Sequence, residues 1–395
     1  MEVVLRAQPI TKNIPIISLK KLLLTNFRSY KNLSLEIGEG SVVLTGANGS
    51  GKTNLLEAVS MLALGRGLRN ATLSEQIYRD KNSSASENYS WAINANVRNA
   101  LGDGLDVKIG TGIEINEDGK EKRIVKIDGE SKRGLSVLGE YFSVCYLSPR
   151  MDSLFVEGAT SRRAYLDKLT TMLIPEHSKH LAIYDYAKSE RIRLLKRGNA
   201  DNKWLNTLER RMAEKSVAIA VARKEAIAIL QNAIGEDISD FPKAMLQVTG
   251  LTEDNMAHMS AIQAEDFVVE MLYNNRREDA QFGRTKDGIH KSDFVVIHSE
   301  KNFPAELCST GEQKAILLSI TLASVRAKTN WSGVVPVLLL DEVVAHLDDK
   351  KRAKLIEALE GLKAQCWMTG TDKEFFVGFQ GKAQFFNVDN SRVFQ

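Results

Sequence analysis

Between Ile16 and Gly46 apolar and polar positions alternate in three short runs, IISLKKLLLTNF, YKNLSLEI and SVVLTG, separated by Arg28-Ser29 and by Gly38-Glu39-Gly40. A period of two bounded by turn formers predicts three β-strands. The same period returns from Tyr89 to Asp128, at Trp91, Ile93, Ala95 and Val97, then Leu105, Val107 and Ile109, then Val125 and Ile127. Its turns, Asp103-Gly104, Asp118-Gly119 and Asp128-Gly129, supply the positive φ angles of tight hairpins, so this stretch predicts an antiparallel sheet. Beyond Pro149 the period lengthens to that of helices, from Ser161 to Met172, from about His177 to Arg197 and from about Trp204 to Ile234. The third is rich in Ala, Glu, Lys and Arg, but no heptad is sustained over many turns, which excludes a long coiled-coil arm. Strands are expected to resume from about Phe267, with FVVI at Phe294 to Ile297 the clearest. The fold class is α/β, with an antiparallel β subdomain and an inserted α-helical lobe.

Composition narrows the partners. A chain of 395 residues is too long for one ordinary core, so two unequal lobes are expected. The net charge of +3 excludes a histone-like polycation, and any nucleic-acid site must be regional. Cys145, Cys308 and Cys366 show no paired or metal-like spacing and read as buried reduced thiols. Met1 to Pro15 lacks the apolar core of a signal peptide, and no stretch reaches the roughly 18 apolar residues of a membrane span, so a cytoplasmic protein is expected.

The chemistry begins at Gly46, where GANGSGKT completes the spacing G-x-x-x-x-G-K-[ST]. A β-branched run precedes it, and an apolar-faced helix from Asn54 to Leu64 follows. That strand, loop, helix order is the context in which consecutive loop amides cradle a phosphate chain. The helix N-terminus adds partial positive charge. Gly46, Ala47, Asn48, Gly49, Ser50, Gly51, Lys52, Thr53 and Asn54 are therefore candidate ATP ligands. Lys52 would reach the β- and γ-phosphates, and the Thr53 hydroxyl would sit on Mg²⁺. A glycine-rich surface turn is the bland alternative, disfavoured by the Lys-Thr pair and its flanks.

A second half lies far downstream. Val337 to Leu340 followed by Asp341-Glu342 reads as a buried parallel strand delivering two acids at its carboxyl end. Buried carboxylates need a reason, and Mg²⁺ supplies one: Asp341 would hold it, while Glu342 would orient and deprotonate the attacking water. An apolar strand ending in a capping acid is the alternative. Cys308-Ser-Thr-Gly-Glu-Gln-Lys314 precedes an apolar helix, Ala315 to Val325, and forms a second anion nest. One loop already serves the phosphates, so the second makes sense if Ser309, Gly311, Glu312 and Gln313 close on a nucleotide bound by another copy, giving a two-fold ATP-sandwiched dimer. An ordinary capping box pairing Ser309 or Thr310 with Glu312 or Gln313 accounts for the same residues. Asp348, in VVAHLD, reads as part of a dimer-contacting D-loop, and the neighbouring His346 is assigned no chemistry.

Taken together, LLLTNFRSY (Leu22 to Tyr30), GANGSGKTNLLEAVSMLALGRGLR (Gly46 to Arg69), LSPRMDSLFVEGATSRRAYLD (Leu147 to Asp167), GIHKSD (Gly288 to Asp293), CSTGEQKAILLSI and LLLDEVVAHLD resemble the RecF family, single-headed relatives of the SMC-type and ABC-type ATPases. The resemblance runs nearly the whole chain. It implies an ATPase head in two halves, 1–160 and 267–395, around a helical lobe at 161–266. It further implies a weak DNA-stimulated ATPase of recombinational repair that helps RecO- and RecR-type mediators load RecA recombinase, touching replication restart and the SOS response. Carried over, Gly46 to Thr53 would be Walker A, Ser309 to Gln313 the signature, Asp341 and Glu342 Walker B, and Asp348 the D-loop acid. The chain departs from the family's glycine-proline-histidine and two acids at Gly288-Ile289-His290-Lys291-Ser292-Asp293. It has Ser148-Pro149-Arg150 where many members carry an acid after the proline. At the switch-histidine position of transporter-type relatives it offers Thr369-Gly-Thr371-Asp372, so turnover is expected to be slow.

Basic residues cluster at Arg66 and Arg69, at Arg162 and Arg163, at Arg191, Arg193, Lys196 and Arg197, at Arg210 and Arg211, and at Arg276 and Arg277. Phosphate contacts by such residues would give sequence-independent, salt-sensitive binding, and the scarcity of interleaved aromatics favours duplex or junction backbone over stacked single strands. Solvated helix faces are the competing account. Two other machines carry similar motifs. A transporter ATPase needs a glutamine loop and a switch histidine, and a nucleotide-gated nuclease needs a further acidic cluster after Thr371; neither signal is evident. A structural clamp that binds ATP without hydrolysing it is opposed by Glu342.

Overall fold

The computed structural model describes residues 16–38, 40–79, 90–98, 106–115, 120–198, 201–237, 240–344 and 347–395. Met1 to Pro15, the turns at Asp103-Gly104 and Asp118-Gly119, and His346 lie outside them. The chain forms two units, residues 1–148 with 328–395, and residues 149–327. These divisions differ from the expected 160/161 and 266/267. The reason is that the strands after the long helices build their own sheet in the second unit and do not return to the first.

In the first unit, β1 (Ser18–Phe27), β2 (Tyr30–Glu36), β4 (Ala92–Arg98), β5 (Asp106–Ile115), β6 (Glu121–Ile127) and β7 (Glu130–Lys132) form an antiparallel sheet in the order β2-β1-β4-β5-β6-β7. Arg28 and Asp128-Gly129 take the positive φ angles of the tight turns joining β1 to β2 and β6 to β7. On β1 a bulge between Leu19 and Lys21 keeps Leu19, Leu22 and Leu24 on the buried face. The second sheet contains β3 (Ser41–Thr45), β8 (Val144–Leu147), β12 (Val337–Leu340), β13 (Cys366–Gly370), β14 (Ala383–Asp389) and β15 (Arg392–Phe394), in the order β15-β14-β3-β13-β12-β8. All its pairings are parallel except β14 with β15. Strand β12 is buried at every position, which is why its four apolar residues show no alternation. The two sheets share one core, into which α1 (Lys52–Ser60) contributes Leu55, Leu56 and Val59, and the short α2 (Leu138–Tyr141) contributes Leu138. The Gln365 side chain bonds both the amide and the carbonyl of Leu19, tying the sheets together. Helix α10 (Asp349–Leu362) completes the unit.

The second unit carries α3 (Ala159–Leu173), α4 (Glu176–Lys196), α5 (Asn202–Gly235), α6 (Leu251–Asn255), α7 (Ala261–Asn274) and α8 (Arg276–Phe282), with a sheet of β9 (Ala244–Thr249), β10 (Asp293–His298) and β11 (Phe303–Pro304). Its core joins Tyr184 and Ala187 of α4, Leu208, Met212 and Ile219 of α5, and Val268 and Leu272 of α7. Phe267 lies within α7, not at the return to strands: Ser260 caps that helix in a reciprocal box with Gln263, while strand structure resumes earlier, at Ala244 in β9, and again at Asp293. Helix α9 (Thr310–Ser332) contains the division between the units, after Ala327. No described helix is long and apolar enough to cross a membrane. The three cysteines are free and buried.

Candidate nucleotide-binding site

The loop from Gly46 to Gly51 joins β3 to α1, and its glycines are there for steric reasons. Gly46, Gly49 and Gly51 have φ angles of 147°, 80° and 117°. A Cβ on Gly46 would lie 2.1 Å from the Val388 carbonyl oxygen, and one on Gly51 would lie 2.7 Å from the Tyr30 hydroxyl. Ala47, Asn48 and Gly49 are exposed at the crest, while Ser50, Gly51 and Lys52 are buried. The Lys52 ammonium donates to the carbonyls of Gly46 and Ala47 at 2.7 and 2.9 Å, closing the loop around itself. Burial lowers its pKa, and Glu342 and Asp341 oppose that shift.

At the carboxyl end of β12 the two acids meet this loop. The Thr53 hydroxyl donates to Asp341 Oδ1 at 3.0 Å, and the Thr369 hydroxyl of β13 donates to the same oxygen at 2.8 Å. The Glu342 amide in turn donates to Thr369 Oγ1 at 2.8 Å. Asp341 is 4% exposed, and burial raises its pKa against the pull of the two hydroxyls. Glu342 stands in the left-handed region at φ 55°, a conformation a non-glycine residue adopts at a cost. Sequence reasoning noted Thr369 only as a hydroxyl in place of a histidine. Its position on the strand beside β12 was the signal that it would touch both acids.

Helix α1 is anchored from behind. Glu57, fully buried, accepts from Arg28 Nε and Nη2 at 2.8 and 2.6 Å and from Arg69 Nη1 at 3.0 Å. Arg69 also donates to Asn54 Oδ1 at 2.7 Å, and Asn54 donates to Ser29 Oγ at 2.9 Å. Arg123 of β6 donates to the carbonyls of Met61 and Gly65, capping the helix's C-terminal end. Asn54 and Arg69 thus take part in positioning α1, the latter instead of standing free as a DNA contact.

The downstream motif lies at the start of α9. Ser309 and Thr310 are exposed, as is Gly311. The Ser309 amide and hydroxyl both donate to Glu312 Oε2 at 2.9 Å, which is the capping-box arrangement. Glu312 also pairs with Lys301, and its pKa is lowered to about 2, by Lys301 first and then by Ser309. Gln313 is buried and donates to the Cys308 carbonyl at 2.9 Å, so its side chain is engaged locally. Asp348 caps α10, accepting from the Lys351 amide at 2.8 Å, which lowers its pKa.

The candidate basic residues divide by exposure. Arg66, Arg193, Lys196, Arg197, Arg210 and Arg211 are exposed. Arg191 is not a surface residue: it is 0% exposed and donates to Glu209 at 2.8 Å, to Asp279 at 2.6 Å and to the Leu272 carbonyl at 2.6 Å. It sits in phase with Tyr184 and Ala187 on the buried face of α4, so it closes an interior network instead of meeting a phosphate. Arg276 joins the same network through Glu209, and Arg162 pairs with Asp293 at 2.7 Å.

Two features test whether this site suits a nucleotide with Mg²⁺. The loop leaves no room for a side chain at Gly46 or Gly51, and the buried Ser50 hydroxyl has no hydrogen-bond partner among the described residues. Among those residues no cluster of three or more His, Cys, Asp or Glu side chains could hold a metal. Mg²⁺ takes only one or two protein ligands beside phosphate and water, and Thr53 with Asp341 fits that need.

Comparison with known proteins gives the lineage. The family model for the RecF/RecN/SMC N terminal domain matches residues 18–392. DNA replication and repair protein RecF of Mesorhizobium japonicum is 42% identical over 95% of this chain and 97% of its own length. The Brucella suis protein of the same name is 41% identical over 95% and 96%. A solved structure of the recombination mediator protein RecF-ATP in the RecFOR pathway superposes with a TM-score of 0.79 at 25% identity, covering 96% of this chain and 99% of that one. An Smc head bound to the C-winged helix domain of ScpA shares the fold at a TM-score of 0.52 and 16% identity, over 95% of each chain. With a family model spanning nearly its whole length and relatives above 40% identity end to end, the chain belongs to the RecF family of DNA replication and repair proteins.

Proposed function

We propose that this protein is an ATP-operated DNA-binding switch of recombinational repair, in which nucleotide held by Gly46 to Asn54 joins two copies of the chain. The observation that carries the reading is the continuous set of contacts from Thr53 through Asp341 and Thr369 to the Glu342 amide, which brings phosphate loop and paired acids into one site. Loop amides and the Lys52 ammonium would bind the phosphate oxygens. Thr53 and Asp341 would hold Mg²⁺, which supplies neutralisation of phosphate charge when bound. Glu342 would take the proton of the attacking water, and its fixed backbone sets where its carboxylate can reach. Ser309 and Gly311, exposed at the α9 N-terminus, would meet the nucleotide of a second copy, with Asp348 near the contact.

The exposed residues Arg66, Arg193, Lys196, Arg197, Arg210 and Arg211 are the candidate DNA contacts, on duplex, gapped or single-stranded substrates. Membership of the RecF family and the RecFOR setting of the solved relative support RecO- and RecR-type mediators as partners in loading RecA, within replication restart and the SOS response. A cytoplasmic location accords with this role. The reading is tested by ATP binding and phosphate release with and without duplex DNA. Lys52→Met is expected to abolish binding, and Glu342→Gln to keep binding while stopping turnover. Phosphate release unchanged in Glu342→Gln would remove the acid from its assigned role.

A further inference from the structure

We infer that the C-terminal hairpin and the Tyr30 hydroxyl aim the phosphate loop's peptides, which makes the Ser391 amide and Tyr30 positioning groups for nucleotide binding. The inference rests on the nucleotide reading of the loop. A peptide is planar and trans, so its carbonyl and its N–H point in opposite directions. A donor that fixes a loop carbonyl from outside therefore turns the next amide toward the cradle. The Ser391 amide donates to the Ser50 carbonyl at 2.9 Å, which directs the Gly51 amide the other way. The Gly51 carbonyl accepts the amides of Asn54 and Leu55 at 3.0 and 3.3 Å, and the Tyr30 hydroxyl at 3.2 Å. Those bonds align the Lys52 amide out of the α1 N-terminus, the direction from which an anion is bound.

The hairpin is built for this contact. Strand β14 runs parallel to β3, with Asn387 beside Thr45, and continues past its end so that the Val388 carbonyl walls the first glycine of the loop. Asn390 and Ser391 then turn with φ angles of 45° and 60°, the two positive values of a tight hairpin turn. The chain bears that conformation without a glycine, and the turn presents the Ser391 amide to Ser50. Tyr30, 1% exposed at the start of β2, leaves no room for any residue but glycine at position 51. These contacts come from segments some 20 residues before and 340 residues after the loop, which explains why the motif alone does not reveal them.

The test measures equilibrium binding of a fluorescent N-methylanthraniloyl ATP to the full chain, with inorganic tripolyphosphate as competitor. Ser391→Pro removes the amide and, because proline's φ is locked near about −65°, also forces the turn out of its φ of 60° at position 391, so binding is expected to weaken by at least roughly tenfold, a loss of about 1.4 kcal/mol or more. Ser391→Gly keeps the amide and should bind as the wild type does. Tyr30→Phe removes one of several donors and should cost about threefold. Tripolyphosphate should lose affinity by the same factors, and KM should rise while kcat stays within about twofold, because the aimed amides act alike on ground and transition states. A folded Ser391→Pro variant that binds ATP as tightly as the wild type overturns the inference, as does a Ser391→Gly variant equally weakened. If the proline variant does not fold, Tyr30→Phe decides, and unchanged affinity there overturns it. Failure of the wild type to bind ATP would refute the nucleotide reading itself, a separate result.

Discussion

Replacing Thr369 by valine tests the link between the two acids. The substitution keeps shape and volume at a fully buried position but deletes one hydroxyl. That hydroxyl donates to Asp341 at 2.8 Å and accepts the Glu342 amide at 2.8 Å. Losing a hydrogen bond to a carboxylate costs about 1.5–3 kcal/mol, and stranding the partly buried Glu342 amide adds about 1–3 kcal/mol, so a total of roughly 2.5–6 kcal/mol of stability is expected. The functional cost follows from Glu342, whose left-handed backbone has lost its anchor and relaxes. Steady-state phosphate release should fall about 10- to 100-fold, equivalent to about 1.4–2.7 kcal/mol of barrier, while ATP affinity stays within about threefold. Urea unfolding midpoints and phosphate release, measured side by side, separate the two effects, and Thr369→Ser should restore most of both. Full turnover in a destabilised Thr369→Val protein would show that the hydroxyl serves packing alone and that Glu342 needs no such anchor.

Arg191→Met should lower stability by about 3–5 kcal/mol, because it leaves Asp279 as a buried charge without its guanidinium partner and Glu209 with Arg276 alone, whereas Arg210→Ala with Arg211→Ala should leave the unfolding midpoint in place and weaken DNA binding. Gel shifts at two salt concentrations distinguish them, the double variant showing a shallower salt dependence. His290 contributes a pH dependence: burial pushes its pKa down from 6.5 to about 4, with the Tyr184 hydroxyl at 2.7 Å from Nδ1 and the Thr285 carbonyl at 3.0 Å from Nε2. The unfolded chain takes up the proton first, so this stability is full above pH 6.5 and is lost as pH falls toward 4, by up to about 3 kcal/mol; His290→Gln should flatten that slope in urea midpoints. Glu57→Gln should destabilise the first unit by about 2–4 kcal/mol, read as a lower melting temperature, since two guanidiniums lose their shared carboxylate.

Local features were legible in the sequence and long-range ones were not. Strands β1, β2 and β3, the glycine loop and the acids after β12 are written in neighbouring residues, so alternation and spacing recover them. The second unit's own sheet was missed at β9, a six-residue strand between helices, and the Ser260-Gln263 cap that marks α7 lay unread before Phe267. Arg191 and Glu209 look like any charged helix residues until their phase is compared with Tyr184, Ala187, Leu205 and Met212, which places them on buried faces. Glu57 is harder still, because its two arginines arrive from the β1–β2 turn and from beyond α1, and only the folded chain brings them together.

ATP is proposed to join two copies through the loop of one and the Ser309 turn of the other. Sedimentation velocity of Ser309→Arg, with and without ATP, tests it most directly, since this exposed substitution leaves Gly46 to Asn54 untouched. The expected result is a wild-type protein that shifts to a dimer on adding ATP and a variant that binds ATP yet stays a monomer. A Ser309→Arg protein that dimerises with ATP as readily as the wild type would contradict it.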